Sequence, residues 1–444
     1  MEQRVRLMGK TLPECRYIPS GNDPVLIFQN SAGNGYFGID EDTLYRNILL
    51  MGASGSGKTT IINQIFAQLR SPADQKAYFA LVFDTKGDYI KHRNFYRQGD
   101  YVIGNSREFR SRSAVWNIFE EVLADGDAPE DYEANAREIA AVLFHGRGSR
   151  TQPFFVNAAR DIFANTLIYF IRRRNDQGGE WNNNLNNRAL KTFLLNYEAG
   201  DLARFFRHYP DMRGLVSYFG DGSSNQSLGV FGELRSMIYD CFQGVFAMDP
   251  KNGPAFSIRK AVRRKGNRTL FIEYDMAVGE SMTPMYRLLV DLALKESLST
   301  QTSNGRTCLL LDELKLLPRI SHLQDALNFC RSHEVSIVGG VQTVDQLYTN
   351  YGEHPAREIL EGFGSLIALK TTDYASRDYI SKRFGPNVTG YRYHNISSQP
   401  LDREREGYVV EHWDQQELDR GQAVVGLSSQ KEPFLFRFGP DRFA

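Results

Sequence analysis

The chain has 444 residues, enough for two domains or for one domain with a large insertion. Lysine and arginine number 53, as do aspartate and glutamate, so the formal net charge is zero. This balance excludes a global basic field that would attract nucleic acid, and any contact with DNA must come from a local patch or an enclosed channel. No apolar run reaches the roughly 18 residues of a membrane helix. The four cysteines have no metal-ligand spacing, which fits a reducing cytoplasmic setting.

After short strands and turns in residues 1–45, the first buried strand leads directly into a glycine-rich loop. Residues 46–51 form an apolar run typical of a strand inside a parallel sheet. Residues 52–59 read Gly-Ala-Ser-Gly-Ser-Gly-Lys-Thr and fit the phosphate-loop pattern G-x-x-x-x-G-K-[ST] at every fixed position. Apolar residues at helical spacing follow Thr60, and they predict a helix whose N-terminus faces a bound anion. Strand, loop and helix in this order predict a nucleoside triphosphate site.

The residues of this loop are expected to have different roles in binding a nucleotide. Glycines let the backbone curl and point its N–H groups at phosphate. Lys58 is expected to reach the β- and γ-phosphates, and the Thr59 hydroxyl to coordinate magnesium. The residues expected to bind the nucleotide are Gly52, Ala53, Ser54, Gly55, Ser56, Gly57, Lys58, Thr59 and Thr60.

Beyond the loop, strand and helix patterns alternate around a helical block. Strands are predicted at 78–84 and 101–103, and they resume at 269–274, 307–312, 335–341, 366–369 and 423–426. Helices are predicted at 133–144, 154–173, 188–197, 202–209, 228–242, 283–298 and 320–332. The alternation indicates an α/β fold with a doubly wound, mostly parallel sheet. We expect three blocks: 1–117 with the first part of a nucleotide-binding domain, 118–250 as an all-α insertion, and 251–444 with the second part.

Two predicted strands end in carboxylates that could complete the site. The strand that ends at Asp312 and Glu313 is the better candidate because it offers two carboxylates with different tasks. Asp312 can hold magnesium through water, and Glu313 can polarise the attacking water as a general base. Asp84 ends the strand 78–84 and could also hold magnesium, since ligands bind at the carboxyl edge of such sheets. The alternative for Asp312 and Glu313 is an acidic, solvated helix start.

The order of these motifs resembles the coupling proteins of bacterial conjugation and type IV secretion, the VirD4/TraG/TraD family. Its members are hexameric, ring-forming ATPases related to RecA and FtsK. The resemblance covers about residues 46–426, and the family usually carries Glu at the position of Asp88. The matching segments are the phosphate loop, Asp84-x-Lys86-Gly87-acid, Arg112-x-x-x-Trp116, Pro153-Phe154 followed by Ala159-Arg160, Leu311-Asp312-Glu313, and Gly340-Val341-Gln342-Thr343.

The resemblance implies a RecA-like P-loop NTPase with an inserted all-α domain and with ATP and Mg²⁺ as cofactors. It implies that Gln342 senses the γ-phosphate and that Arg331 is an arginine finger completing a neighbouring subunit's site. Alternatives are a capped strand end for Gln342 and a helix C-terminal cation for Arg331. The expected catalytic set is Lys58, Glu313, Gln342 and Arg331, with Thr59 and Asp312 on the metal and Asp84 and Lys86 as candidate accessory residues.

The same resemblance implies a motor that hydrolyses ATP and drives DNA into a secretion channel. Its expected partners are single-stranded DNA or relaxase-type cargo, channel components, and further copies of the chain in a homohexamer. Family members commonly begin with membrane helices. Here we expect membrane contact only indirectly or through a segment outside this sequence, at the cytoplasmic face of the inner membrane. Alternatives are an FtsK/HerA-like DNA translocase in processing, packaging or defence, and an ATP-gated adaptor platform that recruits cargo with little turnover.

Local basic clusters are the other candidates for DNA contact, although each is most simply a solvated face. The segment 91–97 interleaves aromatic and basic residues and could contact a strand by phosphate contacts and stacking. The clusters are Arg107, Arg110 and Arg112, then residues 172–174, and then Lys260, Arg263, Arg264, Lys265 and Arg268.

Overall fold

A computed structural model describes residues 3–15, 17–18, 23–70, 76–91, 95–147, 153–219, 222, 224–248, 251, 253–299, 305–393 and 401–440. Contacts between residues divide the chain into two compact units. The first unit comprises Met1–Asp84, Asp88–Gln98 and Asn304–Ala444, and the second comprises Thr85–Gly87 and Gly99–Ser303. The second unit is therefore inserted into the sequence of the first.

Strands and helices are numbered along the chain. The strands are β1 (Gln3–Gly9), β2 (Tyr17–Ile18), β3 (Leu26–Gln29), β4 (Tyr36–Ile39), β5 (Ile48–Met51), β6 (Tyr78–Asp84), β7 (Tyr101–Ile103), β8 (Val115–Trp116), β9 (Ala255–Phe256), β10 (Arg268–Glu273), β11 (Arg306–Leu311), β12 (Val335–Val341), β13 (Ser365–Leu369), β14 (Pro386–Tyr393), β15 (Leu401–Tyr408), β16 (Gln422–Gly426) and β17 (Phe434–Arg437). The helices are α1 (Glu41–Tyr45), α2 (Lys58–Leu69), α3 (Asp88–Lys91), α4 (Ile118–Val122), α5 (Pro129–Phe144), α6 (Pro153–Gln177), α7 (Gly179–Asn182), α8 (Asn187–Asn196), α9 (Ala199–Arg207), α10 (Asn225–Cys241), α11 (Ile258–Arg264), α12 (Gly279–Ser297), α13 (Leu323–Phe329), α14 (Val344–Tyr351), α15 (Glu353–Gly362), α16 (Tyr374–Phe384) and α17 (His412–Glu417).

The first unit is built on a mostly parallel sheet. Its strands lie in the order β17-β16-β13-β5-β12-β11-β6. The five strands from β13 to β6 are parallel, and β16 and β17 extend the sheet antiparallel at one edge. Every residue of β5, β6, β11 and β12 is buried, as expected for parallel strands covered on both faces. This sheet confirms the predicted α/β fold class.

The second unit contains the helical block and two short strand pairs. Strands β7 and β10 are parallel, and so are β8 and β9. Helices α5, α6, α10 and α12 pack together, and α6 buries apolar side chains over most of its length. The buried carboxylate of Glu121 in α4 links strand β8 to the start of helix α11. It accepts hydrogen bonds from Trp116 Nε1 at 2.8 Å, Ser257 Oγ at 2.8 Å and Ile258 N at 2.6 Å.

Most predicted elements are confirmed within a few residues, and β6, β7 and β12 have the predicted bounds. The helix predicted at 320–332 is shorter: α13 ends at Phe329, and a 3-10 turn spans Cys330–His333. The helix ends in this tighter turn because the chain changes direction at Glu334 before it enters β12. Glu334 has a left-handed conformation, with a φ of 55°. The four cysteines are buried and free.

The three predicted blocks, 1–117, 118–250 and 251–444, differ from the two compact units. Helices α4 to α10 fall within 118–250, but the second unit also includes β7 to β10 and the helices α11 and α12. The blocks therefore remain a prediction about domain boundaries. None of the helices in the described ranges has the length and apolarity needed to cross a bilayer.

Candidate functional site

The phosphate loop joins β5 to α2 at the carboxyl edge of the first unit's sheet. Helix α2 begins at Lys58, and no side chain caps its N-terminus. The first N–H groups of a helix have no partners within the helix, so this end can receive an anion. Gly57 precedes it with a φ of 118°. That conformation favours glycine, whereas a Cβ there would be in ordinary contact with Gly421 Cα and Leu369 Cδ2, each at 3.4 Å.

Neighbouring strands fix the conformation of the loop. Gly52 N–H donates to Val341 O at 3.1 Å, at the end of β12. Ala53 N–H donates to Lys370 O at 2.9 Å, just after β13. The loop is thereby anchored to both strands that flank β5.

The Lys58 ammonium lies inside this loop. The residue is only 8% exposed, and Nζ donates to Gly52 O at 2.6 Å and to Ala53 O at 3.3 Å. The loop's own carbonyls therefore hold a positive charge where the pattern G-x-x-x-x-G-K-[ST] requires it.

The structure brings the predicted metal residues together across 253 positions of sequence. Thr59 Oγ1 donates to Asp312 Oδ2 at 2.9 Å. Thr59 lies in the first turn of α2, and Asp312 directly follows β11. A hydroxyl and a carboxylate are hard oxygen ligands of the kind that Mg²⁺ prefers, so these residues fit that ion.

Glu313 and Gln342 form the second pair of the site. Gln342 Nε2 donates to Glu313 Oε2 at 2.5 Å, while Glu313 Oε1 is buried and has no hydrogen-bond partner among the described residues. Burial raises the pKa of Glu313 above its usual 4.5, against the opposing effects of the Gln342 bond and the charges of Lys315 and Lys58. Asp312 raises it further. The carboxylate is thus more basic than in water, which suits a general base.

Gly340 permits this pairing. A Cβ at Gly340 would lie 1.9 Å from Asp312 O, so any side chain would push the end of β12 away from the tip of β11. Glycine is therefore required for Gln342 to approach Glu313.

Arg331 lies apart from the other predicted catalytic residues. It is in the 3-10 turn before β12, whereas Asp312 and Glu313 follow the end of the parallel strand β11. The seven residues of β12 separate the two edges by about 23 Å at ~3.3 Å per residue. Arg331 Nε contacts Asp42 Oδ1 at 2.5 Å, and its side chain is 61% exposed. Arg331 cannot reach Glu313 of its own chain.

Asp84 orders the turn after β6. Its buried carboxylate accepts N–H groups from Asp88 at 3.1 Å, Tyr89 at 3.0 Å and Ile90 at 3.3 Å. Lys86 is exposed and belongs to the second unit. The accessory role of Asp84 and Lys86 remains a prediction.

The sequence analysis missed the contacts of Lys370 and Gly421 with the phosphate loop. Gly421 N–H donates to Ser56 O at 3.0 Å, in addition to the Lys370 bond described above. The predicted strand 366–369 could have indicated the Lys370 contact. A strand that runs parallel to β5 and next to it ends beside the loop that follows β5. No signal indicated the turn at Gly421.

Two of the three arginines in the basic run 172–174 form ion pairs with acidic residues of the same unit. Arg172 contacts Glu133 at 2.6 Å and Asp211 at 2.8 Å. Arg174 pairs with Asp127. In the segment 91–97, residues 92–94 lie outside the described ranges, so the predicted strand contact stays a prediction.

Comparison with known proteins finds one family model that matches most of the chain. The family model of the type IV secretion-system coupling protein DNA-binding domain matches residues 36–417. Coupling protein TraD of Escherichia coli K12 is 22% identical over 352 residues, which cover 78% of this chain and 45% of TraD. The chain thus spans less than half the length of that relative.

Solved structures share the fold. Plasmid coupling protein TrwB in complex with ADP and Mg²⁺ has a TM-score of 0.72 at 19% identity, covering 100% of this chain and 96% of that one. TrwB with the ATP analogue ADPNP has the same TM-score and identity, covering 99% and 95%. VirB4 of Thermoanaerobacter pseudethanolicus has a TM-score of 0.52 at 14% identity, covering 95% and 98%.

Proposed function

The chain belongs to the family of type IV secretion-system coupling protein DNA-binding domains, and we propose that it is an ATP-driven motor that delivers DNA to a secretion channel. The observation that carries this proposal is the meeting of the phosphate loop with two carboxylates and an amide. Thr59 contacts Asp312 at 2.9 Å, and Gln342 contacts Glu313 at 2.5 Å. A loop that only bound a nucleotide would not need a buried base beside it.

We propose ATP and Mg²⁺ as the cofactors, because the residues fit them and TrwB has been solved with ADP and Mg²⁺. Mg²⁺ would supply charge neutralisation at the phosphate oxygens. Lys58 would bind the β- and γ-phosphates, and Thr59 and Asp312 would hold the metal. Glu313 Oε1 accepts a proton from the attacking water, while the Gln342 amide orients the carboxylate through Oε2.

The assembly we propose is a homohexameric ring. Support comes from Arg331, which lies at the opposite edge of the sheet from Glu313 and can act only on another copy of the chain. In such a ring each Arg331 would stabilise transition-state charge in its neighbour's site. We propose single-stranded DNA or a relaxase-type DNA–protein complex as cargo, and a position at the cytoplasmic face of the inner membrane beside the channel.

Steady-state ATP hydrolysis with and without single-stranded DNA tests the motor. We expect DNA to stimulate hydrolysis and Lys58→Ala to abolish it, because a methyl group cannot replace the ammonium on the phosphates. Glu313→Gln should bind nucleotide normally and lose turnover, because an amide cannot act as a base. Glu353→Gln, an exposed carboxylate paired with Arg357 in the same unit, is the matched control and should hydrolyse normally. Near-normal hydrolysis by Glu313→Gln would contradict the assignment.

The same assay separates the alternatives. An ATP-gated adaptor platform would bind nucleotide and cargo but show little turnover and no stimulation by DNA. An FtsK/HerA-like translocase would show stimulated hydrolysis without any complex with secretion-channel proteins. Co-purification of the chain with channel components from cells that carry the secretion genes distinguishes that last case.

A further inference from the structure

The two sides of the phosphate loop have different neighbours in the sheet. In the strand order β16-β13-β5-β12-β11, the loop follows β5, between the other two pairs of strands. Asp312, Glu313 and Gln342, the residues proposed for hydrolysis, follow β11 and β12 on one side. A bound triphosphate would therefore place its γ-phosphate on that side. Its α-phosphate and its nucleoside would extend toward β13 and β16 on the other side.

A tight turn before β16 is bonded to the phosphate loop from this other side. Strand β16 runs antiparallel to β13, so it begins at the carboxyl edge of the sheet. Gln422 N–H donates to Asp419 O at 3.0 Å and closes a β-turn. The central residues of the turn are Arg420 and Gly421, and Gly421 has a φ of 75°, which glycine adopts without strain. Gly421 N–H donates to Ser56 O at 3.0 Å, so the turn is fixed to the loop.

The charge of Arg420 in this turn has no partner in the part of the chain that the structure describes. The side chain is exposed and forms neither a hydrogen bond nor an ion pair there. The adjacent Asp419 pairs with Arg437 instead. A Cβ at Gly57 would lie 3.4 Å from Gly421 Cα. Because neighbouring Cα atoms are about 3.8 Å apart, Arg420 Cα lies within about 9 Å of Gly57 Cα. The long arginine side chain can cover that distance to a ligand held by the loop.

We propose that Arg420 binds the α-phosphate of the nucleotide. The α-phosphate would lie on the β16 side of the loop, and its oxygens match the N–H donors of a guanidinium group in charge and geometry. Because ATP and ADP both carry this group, Arg420 would contribute equally to the binding of substrate and product. It would not act on the bond that breaks. This inference rests on the proposed function, which makes a nucleoside triphosphate the ligand of the loop.

Equilibrium binding of ADP and of ADPNP to the full chain, together with steady-state ATP hydrolysis, tests Arg420→Ala. We expect the affinity for both nucleotides to fall by the same factor, about tenfold, since a charge-assisted hydrogen bond is lost. KM should rise with kcat kept within about twofold, because the contact is the same in the ground state and the transition state. The matched control is Arg357→Ala, which removes an exposed arginine of α15 in the same unit and should change affinity by less than about twofold.

Sulfur substitution at the α-phosphate identifies the group that Arg420 contacts. Each diastereomer of adenosine 5′-O-(1-thiodiphosphate) replaces one non-bridging α-oxygen of ADP with sulfur, which is a weaker hydrogen-bond acceptor. We expect one diastereomer to bind the unmodified chain more weakly than ADP, and this difference to shrink in Arg420→Ala, as in a double-mutant cycle. A loss of affinity in Arg420→Ala with an unchanged sulfur effect would place the contact on the ribose or the base and would overturn the proposal.

Further measurements separate this inference from the proposed function. Thermal unfolding midpoints equal to that of the unmodified chain show that Arg420→Ala is folded, and Arg420→Lys, which keeps the charge, should keep most of the affinity. Unchanged nucleotide affinity in Arg420→Ala would overturn the inference and leave the ATP-site assignment standing. A chain that binds ADP without hydrolysing ATP would contradict the motor and leave the binding comparison readable. No binding of ADP by the unmodified chain would contradict the assignment of the phosphate loop itself.

Discussion

Arg331→Ala separates a structural role from a catalytic role in trans. Among the described residues, the Arg331 guanidinium forms its ion pair with the half-exposed carboxylate of Asp42: the Arg331 side chain is 61% exposed and that of Asp42 is 47% exposed. Loss of such an exposed pair costs a few tenths to about 1 kcal/mol. A domain stable by about 5–15 kcal/mol stays folded after that loss. A large fall in turnover therefore cannot come from unfolding.

If Arg331 completes a neighbouring site, Arg331→Ala should reduce turnover by about 10³-fold or more with little effect on nucleotide binding. Arg46→Ala is the matched control, because Arg46 contacts the other oxygen of Asp42 at 3.0 Å and is also exposed, at 42%. We expect Arg46→Ala to keep turnover within about twofold, since it loses an equivalent surface pair. Steady-state hydrolysis and nucleotide binding of both variants, with unfolding midpoints, provide the measurement.

Mixing two inactive variants then tests whether Arg331 acts between subunits. Subunits with Arg331→Ala are combined with subunits that carry Glu313→Gln. Some interfaces in mixed rings would pair an intact Glu313 with an intact neighbouring Arg331, so part of the activity should return. No recovery in assemblies that are purified through a different affinity tag on each variant, and are therefore mixed, would refute the trans-acting Arg331.

Two further predictions follow from buried carboxylates. Because burial raises the pKa of Glu313 and the reaction needs its carboxylate, kcat should fall as pH decreases through a value above the usual 4.5. Gln342→Ala, which removes a bond that lowers this pKa, should move the acidic limb of the pH profile higher, and an unmoved limb would exclude Glu313 as its origin. Glu121→Ala should destabilise the second unit by about 3–5 kcal/mol in urea unfolding, since it leaves the donors on Trp116, Ser257 and Ile258 buried without an acceptor. Glu120→Ala is its control, because Glu120 pairs with Lys260 at the surface and should cost less than about 1 kcal/mol.

The meeting of the phosphate loop with Asp312 was predictable because each part has a local signal. A buried strand ends at the loop, and a second buried strand ends at Asp312 and Glu313. Parallel strands bring their carboxyl ends to one edge, so local patterns were sufficient to predict that the parts meet. The 2.9 Å contact between Thr59 and Asp312 agrees with that expectation.

Contacts that depend on long-range packing had no such signal. The ion pair between Arg331 and Asp42 joins the turn before β12 to helix α1. The sequence does not indicate this pair, because residues of opposite charge occur throughout the chain. Residue 112 and the segment 260–268 likewise look like separate solvated faces in the sequence, but they line one pocket beside the paired strands β8 and β9. The boundaries of the compact units likewise have no local signal, because the second unit contains strands whose patterns match those of the first.

The contact with Asp42 is weak enough for Arg331 to act as the proposed arginine finger of a neighbouring subunit. Contact with this exposed carboxylate is worth at most about 1 kcal/mol, because water and salt screen it. Transition-state stabilisation of about 10³-fold corresponds to about 4 kcal/mol at ~1.36 kcal/mol per factor of ten. A neighbouring site that reaches its transition state would therefore outcompete Asp42 for Arg331. A site without nucleotide would not compete with Asp42. In the proposed ring, Asp42 would therefore hold the Arg331 side chain between turnovers without opposing catalysis.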